Sequence, residues 1–398
     1  VKIALAQPEI TEADIAAVTD VLRSSRLSQG PAMQAFEEAL ASYIGVAHAV
    51  TVNSGTTALQ LALRALDIQA GDEVVLPSFS FMAVTNAILA ERAVPVFVDI
   101  EENTLNMDPS ALETVLSART RAIIAVHSFG YPARMKEIVE FARRHGLYVI
   151  EDACEALGAE RDGEKAGACG DIGIFAFYPN KQITTGEGGA LVTNSPHIAD
   201  AVKRLRNQGR QPSNQWLQNV EAGYSARLSE INCALGLQQL SRIEDIVNRR
   251  QSLALSYERH METLENVTCF KSLITNGRVS WFTYPILLTR DFDQSERDAV
   301  WKELASLEIE CGRYFPPAHL QPVMQHFPFR CGNLSRTLMV ADRILCLPFF
   351  HLLTEAQIQF VCTSLDELLT KRKTQQRQAR NVSSEDRLKL IEQVSQES

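Results

Sequence analysis

A lysine, an aspartate and the first turn of a helix carry the chemistry that this sequence offers. Asp152 follows the run Tyr148-Val149-Ile150-Glu151, which places it at the carboxyl end of a buried strand. Open α/β sheets bind their ligands just beyond such strand ends. Lys181 follows Phe175-Ala176-Phe177-Tyr178-Pro179-Asn180, an aromatic strand closed by a Pro-containing turn. It precedes Thr184-Thr185-Gly186-Glu187-Gly188-Gly189, whose glycines let other groups approach closely. A lysine set between aromatic residues is partly desolvated and becomes a usable amine nucleophile. In Val52-Asn53-Ser54-Gly55-Thr56-Thr57-Ala58-Leu59 a strand turns through small polar residues straight into a helix. Helix-end amides and the Thr56 and Thr57 hydroxyls make a site for a phosphate. Each feature also has an ordinary use: strand-end aspartates cap turns, most lysines snorkel at the surface, and Ser and Thr cap helices.

The elements around these residues alternate. Ile15, Val18, Val21 and Leu22 recur at helical spacing behind Thr11, an N-cap candidate, and a second helix from about Ala32 to Tyr43 stops at Gly45. Strands are expected at 49–52, 73–76, 94–98, 122–127 and 147–150, with helices starting near Thr56, ending near Asn86, and over 135–145. This order predicts an α/β fold with a mostly parallel central sheet covered by helices, over residues 11–247, after an N-terminal segment 1–10. From 248 the pattern changes to a helix over 248–264, a strand at 281–288, a helix over 295–307 and a short strand at 343–347. That predicts a smaller C-terminal α+β domain over 248–370, followed by a polar tail, 371–398, formed by a terminal helix and a frayed end.

Composition narrows the function. The chain carries 39 Lys and Arg against 48 Asp and Glu, a net charge of −9 that leaves no basic footprint for nucleic acid or an anionic membrane. No run approaches the ~18 apolar residues of a membrane span, and Glu9 arrives too early for a signal-peptide core. The eight cysteines are scattered and never spaced C-x-x-C, which argues against a metal site or disulfide framework and for a cytoplasmic protein with reduced thiols. The helix start at 54–57 lacks the lysine of a P-loop and the spacing of a dinucleotide fingerprint, so a nucleotide-binding domain is not favoured.

Taken jointly, the three segments meet the needs of one cofactor. Pyridoxal 5'-phosphate requires a lysine for its Schiff base, a carboxylate against its pyridinium nitrogen and an anion site for its phosphate. From about Ile10 to Leu369 the chain resembles the DegT-type sugar aminotransferases of PLP fold type I. The likeness is carried by NSGTTAL at 53–59, EDACEALGA at 151–159, FAFYPNKQITTGEGG at 175–189, GYSARLSEINCALGLQQL at 223–240 and YFPPAHLQP at 314–322. The resemblance implies that Lys181 forms the Schiff base and shuttles a proton, that Asp152 binds the pyridinium nitrogen, and that Gly55, Thr56 and Thr57 hold the phosphate. It also implies that Phe81 lies against the cofactor ring. A homodimer with shared active sites is implied too, with Ser225 and Arg227 crossing over, and Arg313, Tyr314 and His319 closing on the substrate.

Three positions depart from many relatives. Ala176 replaces a phosphate-binding serine, Ser225 replaces an asparagine, and Glu155 stands where glutamine or histidine often meets the cofactor's phenolic edge. The function implied is transfer of an amino group from L-glutamate, released as 2-oxoglutarate, to a keto-sugar for lipopolysaccharide, surface glycan or aminosugar synthesis. A nucleotide-linked keto-deoxysugar ranks first as acceptor, ahead of an unactivated oxo-sugar such as an 8-oxo-3-deoxy-octulosonate. A PLP sugar dehydratase is disfavoured because such relatives tend to have histidine in place of Lys181. A non-catalytic PLP-binding regulator is disfavoured because all three cofactor segments are present.

Overall fold

The computed structural model of the chain describes residues 2–211, 218–271 and 274–396, with side chains through Gln378. Short apolar runs form strands β1 (His48–Val52), β2 (Glu73–Pro77), β3 (Val94–Val98), β4 (Thr120–Val126), β5 (Tyr148–Asp152), β6 (Ile172–Ala176) and β7 (Gly189–Thr193). They lie in the order β1-β7-β6-β5-β4-β2-β3, with Arg330–Cys331 adding an edge beyond β3. Only β7 runs against its neighbours; the other pairings are parallel. Strands β2 and β3 are buried along their whole length, as expected where helices cover both sheet faces. The runs 189–193 and 330–331 are strands that the sequence reading does not single out.

Helices α1 (Glu12–Arg23), α2 (Pro31–Ile44), α3 (Gly55–Ala65), α4 (Met82–Ala90), α5 (Met135–His145), α6 (Pro196–Arg206) and α7 (Glu230–Leu240) flank this sheet. Thr11 caps α1 in a reciprocal capping box with Asp14. Gly45 ends α2 at φ 88°, the left-handed geometry that favours glycine. Helix α2 begins at Gly30 without a side-chain cap of its own. The buried Glu230 on α7 supplies one from a distance, accepting from the Gly30, Ala32 and Met33 amides at 2.8, 2.8 and 3.0 Å.

After the long helix α8 (Ile243–Met261) come β8 (Val267–Cys269), β9 (Tyr284–Leu288), α9 (Gln294–Ser306), α10 (Ser335–Arg343), β10 (Ile344–Leu347) and α11 (Glu355–Gln396). Strands β8, β9 and β10 form a separate antiparallel sheet with β9 at its centre. The strand expected at 281–288 begins three residues later in this sheet, because its first residues pair elsewhere. Ser280 N–H donates to Gly130 O at 3.0 Å and Phe282 N–H to Phe129 O at 2.9 Å. That pairing stitches the C-terminal part to the loop after β4. Helix α11 passes through residue 370 without a break, and residues 397–398 of the expected tail lie outside the described residues. Among the described residues no helix is long and apolar enough to cross a membrane.

Candidate active site

The carboxyl ends of β4, β5 and β6 and the start of α3 open into one cavity of about 430 Å³. Asp152 closes β5 and lines it, almost fully buried. Successive strand residues face opposite sides, so the preceding residue, Glu151, is turned to the back of the sheet. There its carboxylate accepts from the Gly167, Cys169 and Gly170 amides at 3.0, 2.7 and 2.6 Å and pairs with His127 Nε2 at 3.0 Å. Ala133 N–H donates to His127 Nδ1, which puts the imidazole proton on Nε2. With His127 N–H also donating to the Asp152 carbonyl at 3.1 Å, the end of β5 is fixed from both sides. Cys154 N–H donates to Asp152 Oδ1 at 3.1 Å and sets the carboxylate's direction.

Lys181 comes from the turn after β6, where its N–H donates to Tyr178 O at 2.9 Å. Its side chain is 14% exposed, and Nζ lies 4.1 Å from the centre of the Phe282 ring and 3.4 Å from Glu155 Oε1. Gln182, the next residue, ties this turn down by donating to Glu155 O and Ser280 O at 2.5 and 2.6 Å. Glu155 is buried; Oε2 accepts from the Phe129 amide at 2.9 Å. Burial raises its proton affinity, against the opposing pull of the Lys181 charge and the Phe129 amide. Cys154, also lining the cavity, has its thiol pushed well up by burial and by the Asp152 charge.

The phosphate end is built by backbone. Ser54 caps α3, accepting from Thr57 N–H at 3.1 Å and meeting Thr57 Oγ1 at 2.9 Å. Gly55 and Thr56 line the cavity, and as the first helical residues their amides have no carbonyl one turn back to bond. Thr57 is turned into the Ser54 cap instead, so Ser54 takes the lining position expected of it. A Cβ on Gly55 would stand 2.7 Å from Ala176 Cβ and 3.1 Å from Cys154 Sγ, so the helix start and the sheet meet closely here. This close approach leaves no room for a side chain between them.

The remaining sequence candidates divide. Phe81 lines the mouth, 63% exposed, beside Phe315 at 6.3 Å between ring centres. Tyr314 lines the wall and stacks on Phe282 at 6.3 Å, with burial pushing its hydroxyl up to about 12. Arg313 does not line the cavity: its guanidinium pairs with Asp298 at 3.0 Å and lies 4.1 Å over Trp301. His319 packs behind the site, Nδ1 to Ser78 Oγ at 2.6 Å and ring against Phe97, with burial lowering its pKa. Ser225 and Arg227 bond each other at 2.9 Å, and Arg227 donates to Asn207 at 2.9 Å, outside this chain's own cavity. Sequence reasoning missed Tyr178, Asn180, Glu187, Phe282 and Phe315 as lining residues. Asn180 and Glu187 adjoin Lys181 and the glycine loop, a local signal; Phe282 lies a hundred positions away and has none.

Pyridoxal phosphate fits the residues present. An amine, a carboxylate and a helix start converge on one cavity, and Asn180 Oδ1 is buried there without a hydrogen-bond partner among the described residues. Buried polar atoms left unpaired call for a ligand or water.

The comparisons with known proteins agree. Residues 8–366 match the DegT/DnrJ/EryC1/StrS aminotransferase family. The chain is similar to GDP-perosamine synthase of Caulobacter vibrioides, 39% identical over 84% of this chain and 89% of that one. It is similar to EpsN of Bacillus subtilis, which bears the provisional name of a pyridoxal phosphate-dependent aminotransferase, 36% identical over 89% and 92%. Helicobacter pylori PseC, an aminotransferase involved in the biosynthesis of pseudoaminic acid, superposes with a TM-score of 0.89 at 29% identity, covering 93% of this chain and 100% of PseC. The chain thus belongs to the DegT/DnrJ/EryC1/StrS aminotransferase family and is a pyridoxal-phosphate-dependent sugar aminotransferase of fold type I.

Proposed function

We propose that this enzyme moves the amino group of L-glutamate to the carbonyl of a nucleotide-linked keto-deoxysugar, supplying an aminosugar for lipopolysaccharide or another surface glycan. The observation that carries the aminotransferase part is the convergence of Lys181, Asp152 and the start of α3 on one cavity. Bound pyridoxal phosphate supplies the aldehyde that exchanges amines and the ring that accepts electrons when a Cα–H bond breaks. The chain's own residues do the rest. The Gly55 and Thr56 amides and the Thr56 hydroxyl hold the phosphate on the positive end of α3. Asp152 keeps a proton on the ring nitrogen, steadied by Cys154 N–H and by the Glu151–His127 brace behind it. Lys181 Nζ holds the cofactor and afterwards moves a proton to and from the substrate carbon. Phe282, Tyr314 and Phe315 keep water from that nitrogen.

The acceptor class rests on the relatives: the GDP-linked product named for the Caulobacter relative points to a nucleotide-linked sugar. Asp152, Glu155 and Glu187 line the cavity beside Lys181, the one cation among its described lining residues. With Lys181 engaged by the cofactor, the described cavity residues offer glutamate's carboxylates no other cation, which supports a homodimer in which Arg227 and Ser225 of one protomer reach the site of the other.

Mixing purified holoenzyme with glutamate is expected to abolish the visible band of the lysine-bound cofactor and release one 2-oxoglutarate per site. Nucleotide-linked keto-deoxysugars then restore the band, and unlinked oxo-sugars do not. An unchanged spectrum with glutamate would overturn the aminotransferase reading, and recovery only with an unlinked acceptor would overturn the acceptor class.

A further inference from the structure

Glu155 has a geometry that cofactor contact alone does not require. Two donors face its two oxygens: the Phe129 amide at 2.9 Å and Lys181 Nζ at 3.4 Å. A carboxylate accepts from both, whereas an amide offers one acceptor and must turn its NH₂ toward one of the donors. The donor at 129 is specially placed. Phe129 has φ 57°, a left-handed conformation that is costly for a bulky residue and persists where the surroundings enforce it. Its ring is clamped against Phe315 at 5.5 Å, stacked within 3°. The carbonyl of Glu155 is held as well, by Gln182. The acid is therefore positioned by the Phe129 amide and Gln182, and the amine by the Phe282 ring 4.1 Å from Nζ.

We infer that Glu155 is the counter-ion of the Lys181 nitrogen: it holds a proton on that nitrogen, first as an ammonium and then in the carbon–nitrogen link to the cofactor. The inference rests on the reading of Lys181 as the cofactor-bearing residue. A protonated link is the electrophilic form that an incoming amine attacks, so Glu155 sets the pH range in which the resting enzyme is ready for glutamate. Lys181, Asp152, Cys154, Tyr314 and Cys346 are the titratable groups whose charges couple to Glu155. Of these only Lys181 is cationic, and Asp152 adds negative charge of the same sense.

The test is a spectrophotometric pH titration of the holoenzyme, following the visible band of the lysine-bound cofactor in wild type, Glu155→Gln and Glu155→Asp. An opposite charge within about 4–6 Å shifts a titration by about 1–3 pH units. The band's midpoint is expected to fall by at least about one unit in Glu155→Gln, with Glu155→Asp in between. In the apoprotein the same loss lowers the proton affinity of Lys181, so its acylation by an amine-selective reagent at neutral pH is expected to speed up about tenfold. Far-ultraviolet circular dichroism and the melting temperature report whether the variants fold. A midpoint unchanged in a folded Glu155→Gln that still shows the band would overturn the inference and leave the role of Lys181 intact. Absence of any lysine-bound band in the wild type would overturn the underlying reading instead.

Discussion

Gly55→Ala puts one methyl group into the closest approach between α3 and the sheet. Its Cβ would stand 2.7 Å from Ala176 Cβ and 3.1 Å from Cys154 Sγ. Carbon atoms settle at about 3.5–4.0 Å, so the helix start must retreat from β6 by about 1 Å. Overpacking of this kind costs about 1–3 kcal/mol. The retreat carries the Gly55 and Thr56 amides away from the position in which they meet a phosphate. If the same strain is felt on binding, cofactor affinity falls roughly tenfold to a hundredfold, at about 1.4 kcal/mol per decade. Titrating apoprotein with pyridoxal phosphate, read on the visible band, measures this directly. Gly45→Ala is the control. It has nothing within 4 Å of its Cβ but sits at φ 88°, so it should lose about 1 kcal/mol of stability with cofactor affinity unchanged. A Gly55→Ala protein that binds the cofactor as tightly as wild type would refute the argument that this contact shapes the phosphate site.

Asp152→Asn keeps the shape and the Cys154 N–H contact but cannot hold a proton on the ring nitrogen; turnover is expected to fall at least about a hundredfold while the melting temperature moves little. Near wild-type turnover would make this carboxylate merely structural. Glu230→Ala removes the acceptor of the Gly30, Ala32 and Met33 amides at the start of α2, and urea unfolding is expected to show a loss of about 3 kcal/mol; a loss below about 1 kcal/mol would contradict that capping role. Glu244 is held at about 2 by its bonds to Arg278, with Tyr43 assisting. Because its folded value is depressed from 4.5, its contribution is complete above that pH and is lost as pH falls toward about 2. Half-exposure keeps it small. Glu244→Gln should flatten the acid limb of the stability profile over that window, and an unaltered limb would count against the pair.

What the sequence made legible was local. Asp152 is the last residue of a strand, Lys181 lies in a turn marked by Pro179, and the α3 start is marked by Ser54 and Gly55, so short-range patterning sufficed to bring them to strand and helix ends. The same holds for Thr11 at the start of α1 and Gly45 at the end of α2. Long-range packing was not legible. The loop 313–322 carries Arg313, Tyr314 and His319, yet of these three Tyr314 alone meets the cavity: Asp298 and Trp301 draw Arg313 off, and Ser78 holds His319 behind the wall. No local pattern distinguishes these fates, because each is decided by a partner distant in the chain. Phe282 illustrates the converse. It reads as the second residue of a strand, but its backbone pairs with Phe129 and its ring meets Lys181. Glu187 and Asn180 were within reach, since both adjoin residues already singled out.

Reduction of the holoenzyme with borohydride, followed by digestion and mass spectrometry, locates the residue that carries the cofactor. A pyridoxyl group is expected on the peptide containing Lys181, and none on any peptide of Lys181→Ala. Modification of a different lysine in the wild-type enzyme would contradict that expectation.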